Sequence, residues 1–431
     1  AGDDIIEGGE GLDFLDGGGG GNTLSYASHQ FDLTIDLATD IVIATGDNLF
    51  DVIQNFQSLI GGAGDDQLAG LNGATVLNGG DGDDILNGRF GADTIAGGDG
   101  DDTLVFNEDA GDRTKFDVWD GGADSDTGDF SGFHSAIRID LGSANLRATR
   151  DGADMNAGTG ALRAIVQTTG VENFTGTAFD DEMLGDNAAN RFFGGDGDDA
   201  LLGRNGDDVL IGGAGEDRLT GGSGADVMTG GDGDDIYDVE NVNDIVQESA
   251  NGGTKDRINT VVDIVNPDNV EFLIAKFAPV GLNLTGSNGS DRITGANKIS
   301  SGDVILGLGG NDKIIGLVGN DVIDGGAGAD RIFGNSGDDV ITGGAGNDLL
   351  TGQFGVDRFV HRPGDNNDRI TDFSTVQDLL DLTAHNFATF AAVQALMTDA
   401  AGGALIDLAG PDSIKLTGVT VAQIGAEDIL I

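Results

Sequence analysis

Residues 194–238 read GGDGDDALL GRNGDDVLI GGAGEDRLT GGSGADVMT GGDGDDIYD, which is five nine-residue units in one unbroken frame. The frame is G-G-x-G-x-D-x-U-x, where U is a large apolar residue. It recurs at 79–105 and at 307–360, and partial copies lie at 1–25. A disordered acidic segment has no reason to place an apolar residue at every ninth position, so the period predicts a folded repeat.

Each position of the repeat has a physical task. Glycines at positions 1, 2 and 4 allow the positive φ angles and the close backbone approach of a tight turn. The aspartate at position 6 places a carboxylate at the end of that turn. Positions 7–9 predict a three-residue strand whose central side chain, such as Leu86, Ile95 or Leu104, faces inward.

The composition excludes several classes of protein. The 431 residues include 77 glycines and carry 75 acidic against 21 basic side chains, for a formal net charge of −54. Such a charge repels phosphate backbones, so we expect no nucleic-acid partner. No apolar stretch approaches the roughly 18 residues of a transmembrane helix. Without cysteine, neither disulfides nor thiolate metal sites can form.

The repeat offers a thin hydrophobic core. One buried side chain for every nine residues does not offset the conformational entropy of ordering those nine residues. Repulsion between the crowded carboxylates opposes folding further. We therefore expect that the coil does not fold unaided and that a multivalent cation supplies the missing stabilisation.

The ligand chemistry indicates which cation this is. Carboxylate and carbonyl oxygens, without cysteine or histidine, select hard ions such as calcium or magnesium over zinc or copper. Calcium accepts six to eight oxygens in loose geometry, whereas magnesium demands a strict octahedron and releases its water reluctantly. Calcium is therefore the expected cofactor, with several ions and at most about one for each repeat turn.

The nonapeptide resembles the RTX (repeats-in-toxin) calcium-binding repeat over the blocks near 1–25, 61–105, 176–238 and 286–360. The resemblance implies a right-handed parallel β-roll in which two nonapeptides make one turn, with calcium between turns 18 residues apart. Carried onto this chain, it implies the bridging pairs Asp84 with Asp102, Asp199 with Asp217, Asp208 with Asp226, Asp312 with Asp330, and Asp321 with Asp339.

The candidate metal ligands are the aspartates at position 6 of the frame. They are Asp4, Asp13, Asp66, Asp84, Asp93, Asp102, Asp181, Asp199, Asp208, Asp217, Asp226, Asp235, Asp291, Asp303, Asp312, Asp321, Asp330, Asp339, Asp348 and Asp357. Asn22, Thr75 and Asn190 replace the aspartate in three units, where we expect calcium binding to be weak or absent.

The predicted fold is all-β. Parallel β-roll blocks at 1–25, 61–105, 176–238 and 286–360 alternate with strand-rich inserts at 26–60, 106–175 and 239–285. The inserts show the period-two alternation of half-buried strands, and T-I-D-L at 34–37 parallels R-I-D-L at 138–141. Residues 361–431 are expected to form a C-terminal cap with one short helix near Phe387–Leu396.

The sequence contains no recognisable catalytic motif, so we do not predict an enzyme. The four histidines are scattered, H-E-x-x-H and G-x-S-x-G are absent, and the paired carboxylates lie within the repeat frame. The ending I-G-A-E-D-I-L-I resembles the C-terminal region that type I secretion systems recognise in RTX proteins, although a plain capping strand would have the same pattern.

Two functions fit these features. The first is a secreted, calcium-folded structural protein that serves a surface layer, fibre or adhesin, by self-association or by binding a cell surface or polysaccharide. The alternative is the calcium-binding secretion and folding region of a larger RTX enzyme or toxin, such as a metalloprotease, lipase, epimerase or cytolysin. Ala1 falls inside a repeat unit, which favours a chain that continues upstream.

Overall fold

A computed structural model describes residues 2–9, 11–44, 50–107, 116–142, 146–148, 163–278, 280–297 and 302–431. The chain divides into two compact units, Ala1–Thr229 and Gly230–Ile431. The regular secondary structure of the described ranges is almost all β-strand, with about 4% helix, and forms about 19 turns of parallel β-solenoid. No helix in the described ranges is long and apolar enough to cross a membrane.

The first unit is built from short strands. In chain order they are β1 (Ile5–Glu7), β2 (Phe14–Asp16), β3 (Thr23–Ser25), β4 (Leu33–Asp36), β5 (Ile41–Ala44), β6 (Phe50–Gln54), β7 (Ser58–Ile60), β8 (Gln67–Ala69), β9 (Val76–Asp81), β10 (Ile85–Asn87), β11 (Thr94–Asp99), β12 (Thr103–Val105), β13 (Asp117–Ala123), β14 (Thr127–Asp129), β15 (Ile137–Asp140), β16 (Leu146–Ala148), β17 (Arg163–Thr169), β18 (Asn173–Thr175), β19 (Glu182–Leu184), β20 (Arg191–Asp196), β21 (Ala200–Asn205), β22 (Val209–Ala214) and β23 (Arg218–Ser223). The division between the units falls within β24 (Val227–Asp232).

Successive repeats alternate between two parallel sheets. Strand β10 pairs in parallel with β8 and β12, and each step aligns residues 18 apart, as in Leu68, Leu86 and Leu104. On the opposite sheet, β9 and β11 align Leu77 with Ile95. All five side chains are buried between the sheets. The predicted β-roll with two nonapeptides per turn is therefore confirmed.

Many strands of the strict repeats are longer than the predicted three residues, whereas β10 and β12 have that length. Strands β20 and β22 each run for six residues and remain in register at Gly195 and Gly213. The reason is that the two glycines opening the next unit continue the ladder before the chain turns. Gly195 and Gly213 take φ angles of 122° and 123°, which favour glycine over any other residue.

The insert strands of the first unit lie in the same ladders as the repeats. Strand β6 pairs in parallel with β2, and β4 with β8, while β5 joins β6 to β4 in antiparallel pairing. The second insert follows the same plan, since β17 extends β13 and β15 extends β19, with β16 between them. Each of these inserts therefore enlarges one turn of the roll, and the parallel ladders continue past it.

An aromatic cluster fills the first unit where its repeats are least regular. Trp119 is fully buried and packs against Phe106 and Phe130, with ring centroids 6.3 and 5.5 Å away. Phe174 continues the cluster. Gly128 takes the inward position of β14, where a Cβ would lie 2.7 Å from the Phe174 ring. The missing side chain makes room for the larger rings.

The second unit contains the remaining strands. They are β25 (Ile236–Val239), β26 (Ile245–Gln247), β27 (Arg257–Thr260), β28 (Ile264–Val265), β29 (Phe272–Ala275), β30 (Asn283–Thr285), β31 (Arg292–Thr294), β32 (Val304–Leu306), β33 (Lys313–Val318), β34 (Val322–Ala327), β35 (Arg331–Ser336), β36 (Val340–Ala345), β37 (Leu349–Phe354), β38 (Arg358–Val360), β39 (Asn367–Ile370), β40 (Leu379–Asp381), β41 (Met397–Ala400), β42 (Gly403–Ala409), β43 (Asp412–Thr417) and β44 (Ile429–Leu430).

This unit is again a two-sided parallel roll. Strands β27, β29, β31, β33, β35, β37 and β39 form one ladder, and β28, β30, β32, β34, β36, β38 and β40 form the other. Ile314 and Ile332 from the first ladder and Ile323 and Ile341 from the second are buried in the core.

The C-terminal cap closes both ladders. Strand β43 extends β39 in parallel, and β42 and β41 follow in antiparallel pairing. The predicted short helix is present as α1 (Phe390–Gln394), and the Thr389 side chain accepts a hydrogen bond from the Ala392 N–H at its N-terminus. The last strand, β44, pairs with β40. The chain ending is thus a capping strand, and its role in secretion stays a prediction.

Candidate metal centres in the turns

The predicted metal ligands occupy equivalent places at the ends of the turns. Eighteen of the twenty are buried, namely Asp66, Asp84, Asp93, Asp102, Asp181, Asp199, Asp208, Asp217, Asp226, Asp235, Asp291, Asp303, Asp312, Asp321, Asp330, Asp339, Asp348 and Asp357. The other two differ, because Asp4 is exposed and Asp13 is half-buried.

A ladder of hydrogen bonds joins these aspartates from turn to turn. The Oδ1 atom of Asp84 accepts the backbone N–H of Asp66 at 2.7 Å, and Oδ1 of Asp102 accepts the N–H of Asp84 at 2.8 Å. The same bond, 2.8 Å long, joins Asp199 to Asp217, Asp208 to Asp226, Asp312 to Asp330, and Asp321 to Asp339. The structure therefore brings together all five predicted bridging pairs.

The second carboxylate oxygen, Oδ2, is buried without a hydrogen-bond donor in many of these turns. Among the predicted ligands this holds for Asp84, Asp102, Asp199, Asp208, Asp312, Asp321, Asp330, Asp339 and Asp348. A buried anionic oxygen without a donor is energetically unfavourable, because it has lost its hydrogen bonds to water and has formed no others. A bound cation would supply the missing partner.

Further oxygens surround each of these Oδ2 atoms. A Cβ added to Gly79 would lie 1.9 Å from Oδ2 of Asp84 and 2.7 Å from the carbonyl oxygen of Gly97. At Gly203 it would lie 2.1 Å from Oδ2 of Asp208 and 2.7 Å from the carbonyl oxygen of Gly221. The first glycine of each unit thus leaves space where carboxylate and carbonyl oxygens converge. This donor set fits calcium.

Burial also makes ionisation of these carboxylates unfavourable. It raises the pKa of Asp84 to about 8 and that of Asp199 to about 9, and the neighbouring carboxylates add to both shifts. The pKa of Asp102 rises to about 7 for the same reasons. Near neutral pH the folded turn must therefore hold a proton or a cation at this place.

The three turns that lack the aspartate satisfy their own polar atoms. Asn190 accepts the Asp186 N–H at 3.0 Å through Oδ1, and its Nδ2 donates to the Glu172 carbonyl oxygen at 3.1 Å. Asn22 Nδ2 donates to the carbonyl oxygen of Asn55 at 3.1 Å. The Thr75 hydroxyl donates to the Gly73 carbonyl oxygen at 3.0 Å. These contacts favour the prediction that calcium binds weakly or not at all in these turns.

The ladder continues through aspartates that the strict frame did not identify. Asp93 donates its backbone N–H to Asp117 and Asp102 to Asp126, both at 2.9 Å. The other additions are Asp256, Asp368 and Asp378, which accept from Asp235, Asp348 and Asp357. Most of these aspartates lie two positions before a buried apolar residue, as position 6 of the repeat lies two positions before position 8. This aspartate-to-apolar spacing, without the glycines, is therefore the sequence signal that identifies most of them.

A three-carboxylate group lies at one of the added positions. Oxygen atoms of Asp235, Glu248 and Asp256 lie within 4.8 Å of one another. The Tyr237 hydroxyl donates to Glu248 Oε2 at 2.5 Å, and burial raises the pKa of Glu248 to about 7. Glu248 falls outside the nonapeptide frame, so its position next to two ladder aspartates could not be expected from the repeat.

Two of the four scattered histidines meet in the C-terminal cap. His361 Nδ1 lies 3.1 Å from His385 Nε2, and His361 is buried beside Asp368. Burial lowers the pKa of His361, so its neutral form is favoured. The pair packs the cap against the final turn of the roll.

Comparison with known proteins bears on these turns. A family model described as the RTX calcium-binding nonapeptide repeat (4 copies) matches residues 1–24, 58–77, 70–104, 168–201, 175–210, 202–237, 211–246, 300–332, 324–359 and 333–368, together more than half of the chain. No curated protein matches the chain.

Two solved structures are similar to part of the chain. One is the extracellular lipase LipA from Serratia marcescens, at 16% identity over 61% of this chain and 40% of the lipase, with a TM-score of 0.25. The other is the solution structure of the AlgE6R3 subunit of the Azotobacter vinelandii mannuronan C5-epimerase, at 25% identity over 38% of this chain and 82% of that subunit, with a TM-score of 0.19. The chain thus spans less than half the length of the lipase.

Proposed function

The chain belongs to the RTX calcium-binding nonapeptide repeat family, and from this premise we propose that it is a secreted protein whose β-rolls fold when they bind calcium outside the cell. One observation carries the proposal. Buried Oδ2 atoms without donors recur at 18-residue steps, as in Asp84 and Asp102, or Asp312 and Asp330. Each marks a place where the folded chain requires a positive charge.

The residues that would hold calcium are the ladder aspartates, through Oδ2, together with carbonyl oxygens of the turns. Bound calcium would supply the positive charge that opposes carboxylate repulsion across the stacked turns. The protein's own contribution is to align the carboxylates. Each Oδ1 is fixed by a backbone N–H of the preceding turn, which directs Oδ2 toward the glycine turn of its own unit.

This arrangement would act as a folding switch. Calcium is scarce in the cytosol and reaches millimolar levels outside the cell. A ligand that binds only the folded state stabilises it in proportion to the logarithm of its concentration, and many ions acting together make the response steep. The chain would then stay unfolded before export and fold afterwards.

Circular dichroism of the purified chain tests this switch. We expect little β-sheet signal in excess EDTA and a strong signal after addition of calcium, with magnesium much less effective at equal concentration. A strong β-sheet signal in EDTA near neutral pH would refute the proposal.

We further propose that the folded rolls serve as an extracellular scaffold, as a surface layer, fibre or adhesin. The repetitive ladders support this, since the sheets present the same outward positions turn after turn. Electron microscopy across a calcium titration tests it, and particles that stay monomeric at millimolar calcium would contradict self-association. The alternative role, as the folding region of a larger enzyme or toxin, stays a prediction. The mass of the native protein decides it, because a large additional domain with a catalytic motif would favour the alternative.

A further inference from the structure

A row of basic residues runs along one face of the second unit. Eight consecutive in-register strands place one residue each in this row, and six of the eight are basic. The row reads Arg257, Phe272, Arg292, Lys313, Arg331, Leu349, Arg369 and Lys415. We call its six basic members the cationic row. They are six of only 21 lysines and arginines in a chain with 75 acidic residues.

The strand geometry points these side chains away from the core. Each precedes a buried apolar residue, such as Ile293 after Arg292 or Ile332 after Arg331, and neighbouring residues of a strand face opposite sides. Adjacent strands lie about 4.8 Å apart, so the seven steps from Arg257 to Lys415 span about 34 Å. The charges therefore follow one line, with a regular spacing set by the backbone.

Acidic side chains do not neutralise this row. None of the ion pairs in the described part of the chain involves a member of the cationic row. Other basic residues of the same unit do pair, as Lys276 does with Asp238 and Arg358 with Asp381. The stability of the fold does not explain why basic side chains are grouped where no carboxylate forms an ion pair with them.

A second row lies beside the first on the same face. Two residues further along each strand, the sheet presents Ile274, Thr294, Ile315, Phe333 and Thr351 in register. The Arg331 guanidinium lies 5.7 Å from the centre of the Phe333 ring. This second row contains no carboxylate and combines apolar groups with hydroxyls. A sugar ring, with its apolar C–H face and its hydroxyl rim, matches such a surface.

We propose that this face binds a linear anionic polysaccharide whose carboxylate or sulfate groups lie along the cationic row. A line of cations on an otherwise anionic protein attracts a polymer with periodic negative charge, and the second row contacts its sugar rings. A nucleic acid is less suitable, because the charge of −54 repels its denser backbone.

The acidic turns of a second copy fit the row less well. The exposed acidic rows of the strict repeats are short, and one of them contains Asp65, Asp83 and Asp101. Each of these carboxylates already accepts a backbone N–H from the next turn, at 2.9–3.0 Å. That row also ends after three steps at Ser125, whereas the cationic row continues for seven.

The test uses the full calcium-loaded chain and titration calorimetry. The probes are hyaluronan and chondroitin sulfate, both linear acidic polysaccharides, with neutral dextran as the uncharged control. We expect binding to both acidic polymers that weakens as salt increases, and no binding to dextran. The triple variant Arg292→Gln, Lys313→Gln, Arg331→Gln should weaken binding by roughly tenfold and flatten its salt dependence.

A matched variant controls for overall charge. Arg138→Gln, Arg191→Gln and Arg218→Gln remove three cations from strands of the first unit, and this triple should bind within about twofold of the parent. Circular dichroism in calcium should be unchanged for both triples, so failure of the calcium switch would be seen separately.

Four results would overturn the proposal. The first is equal weakening by both triples, and the second is binding to dextran as strong as to hyaluronan. The third is calcium-dependent self-association that the Arg292, Lys313 and Arg331 changes abolish while hyaluronan does not bind, which would assign the row to a second copy. Binding of double-stranded DNA more tightly than either polysaccharide would likewise reject the ligand class.

Discussion

The turns of Asn190 and Asp208 occupy the same side of the roll, one turn apart, and differ in how one atom is satisfied. The Asn190 N–H donates to Asp208 Oδ1 at 2.7 Å, so both turns share the backbone ladder. In the asparagine turn the side-chain amide donates to the Glu172 carbonyl oxygen. In the aspartate turn Oδ2 is buried with no donor. An amide thus completes a turn from within, whereas a carboxylate requires a cation or a proton from outside.

The largest expected effect is that acid replaces calcium in the aspartate turns. Without calcium, burial raises the pKa of the ladder aspartates, to about 6 for Asp208 and about 9 for Asp199, above the ordinary value of 3.8. The stabilisation from protonated carboxylates is therefore full below pH 3.8 and is lost as the pH rises through about 6 to 9.

Circular dichroism in EDTA across this pH range checks the prediction. The β-sheet signal should be present near pH 4 and disappear toward pH 9, whereas with calcium it should persist throughout. A calcium-free signal that increases with pH would show that the buried carboxylates do not control folding.

The next effect concerns the space beside the carboxylate. In Gly203→Ala the new Cβ would lie 2.1 Å from Oδ2 of Asp208, so the turn must shift and its oxygens would separate. We expect a loss of about 3 kcal/mol in the free energy of unfolding, measured by urea denaturation in calcium, and fewer bound ions by calorimetry. Unchanged stability and ion count would place the cation elsewhere.

Exchanging the two side chains tests the comparison directly. Asp208→Asn should behave like the Asn190 turn, binding less calcium and reducing stability in calcium by about 1–2 kcal/mol, while increasing residual structure in EDTA. Asn190→Asp should have the opposite effect in EDTA. Calcium counts by calorimetry and urea midpoints in both buffers measure these changes, and equal calcium binding by parent and Asp208→Asn would contradict the assignment of Oδ2 as a ligand.

Two equivalent glycines differ in whether an added Cβ would meet the preceding turn. A Cβ on Gly73, in the Thr75 turn, meets nothing within 4 Å, so Gly73→Ala should change stability by less than about 0.5 kcal/mol. Gly82, at the same place in an aspartate turn, has a φ of 116° and would meet the Gly64 carbonyl oxygen at 2.6 Å. Gly82→Ala should cost about 2 kcal/mol. Similar urea midpoints for the two variants would contradict this.

The sequence predicted the roll well because each position of the nine-residue repeat has a fixed structural role. An inward residue at position 8, such as Leu210, follows from the period, whereas the 18-residue step between equivalent aspartates follows from the resemblance to the RTX repeat. The carboxylates of Asp126 and Asp256 were missed because they belong to turns without the full glycine pattern. Their places are fixed by pairing with neighbouring repeats, a tertiary effect.

The cationic row also could not be predicted from the sequence. Arg257, Arg292 and Lys313 stand 35 and 21 residues apart, a spacing that shows no regular period along the chain. Insertions of different length separate their strands, and only the strand register brings them onto one line. The meeting of His361 with His385 has the same origin, since the cap folds back onto the roll.

The aspartate ladder has a direction. The backbone N–H of Asp66 donates to Asp84, and that of Asp84 donates to Asp102. Near the C-terminus, the N–H groups of Asp348 and Asp357 donate to Asp368 and Asp378 in the cap. A turn is therefore complete only after its C-terminal neighbour is in place. Folding of the roll would begin at the C-terminal cap and proceed toward the N-terminus. Each new turn would then form against a neighbouring turn that is already folded.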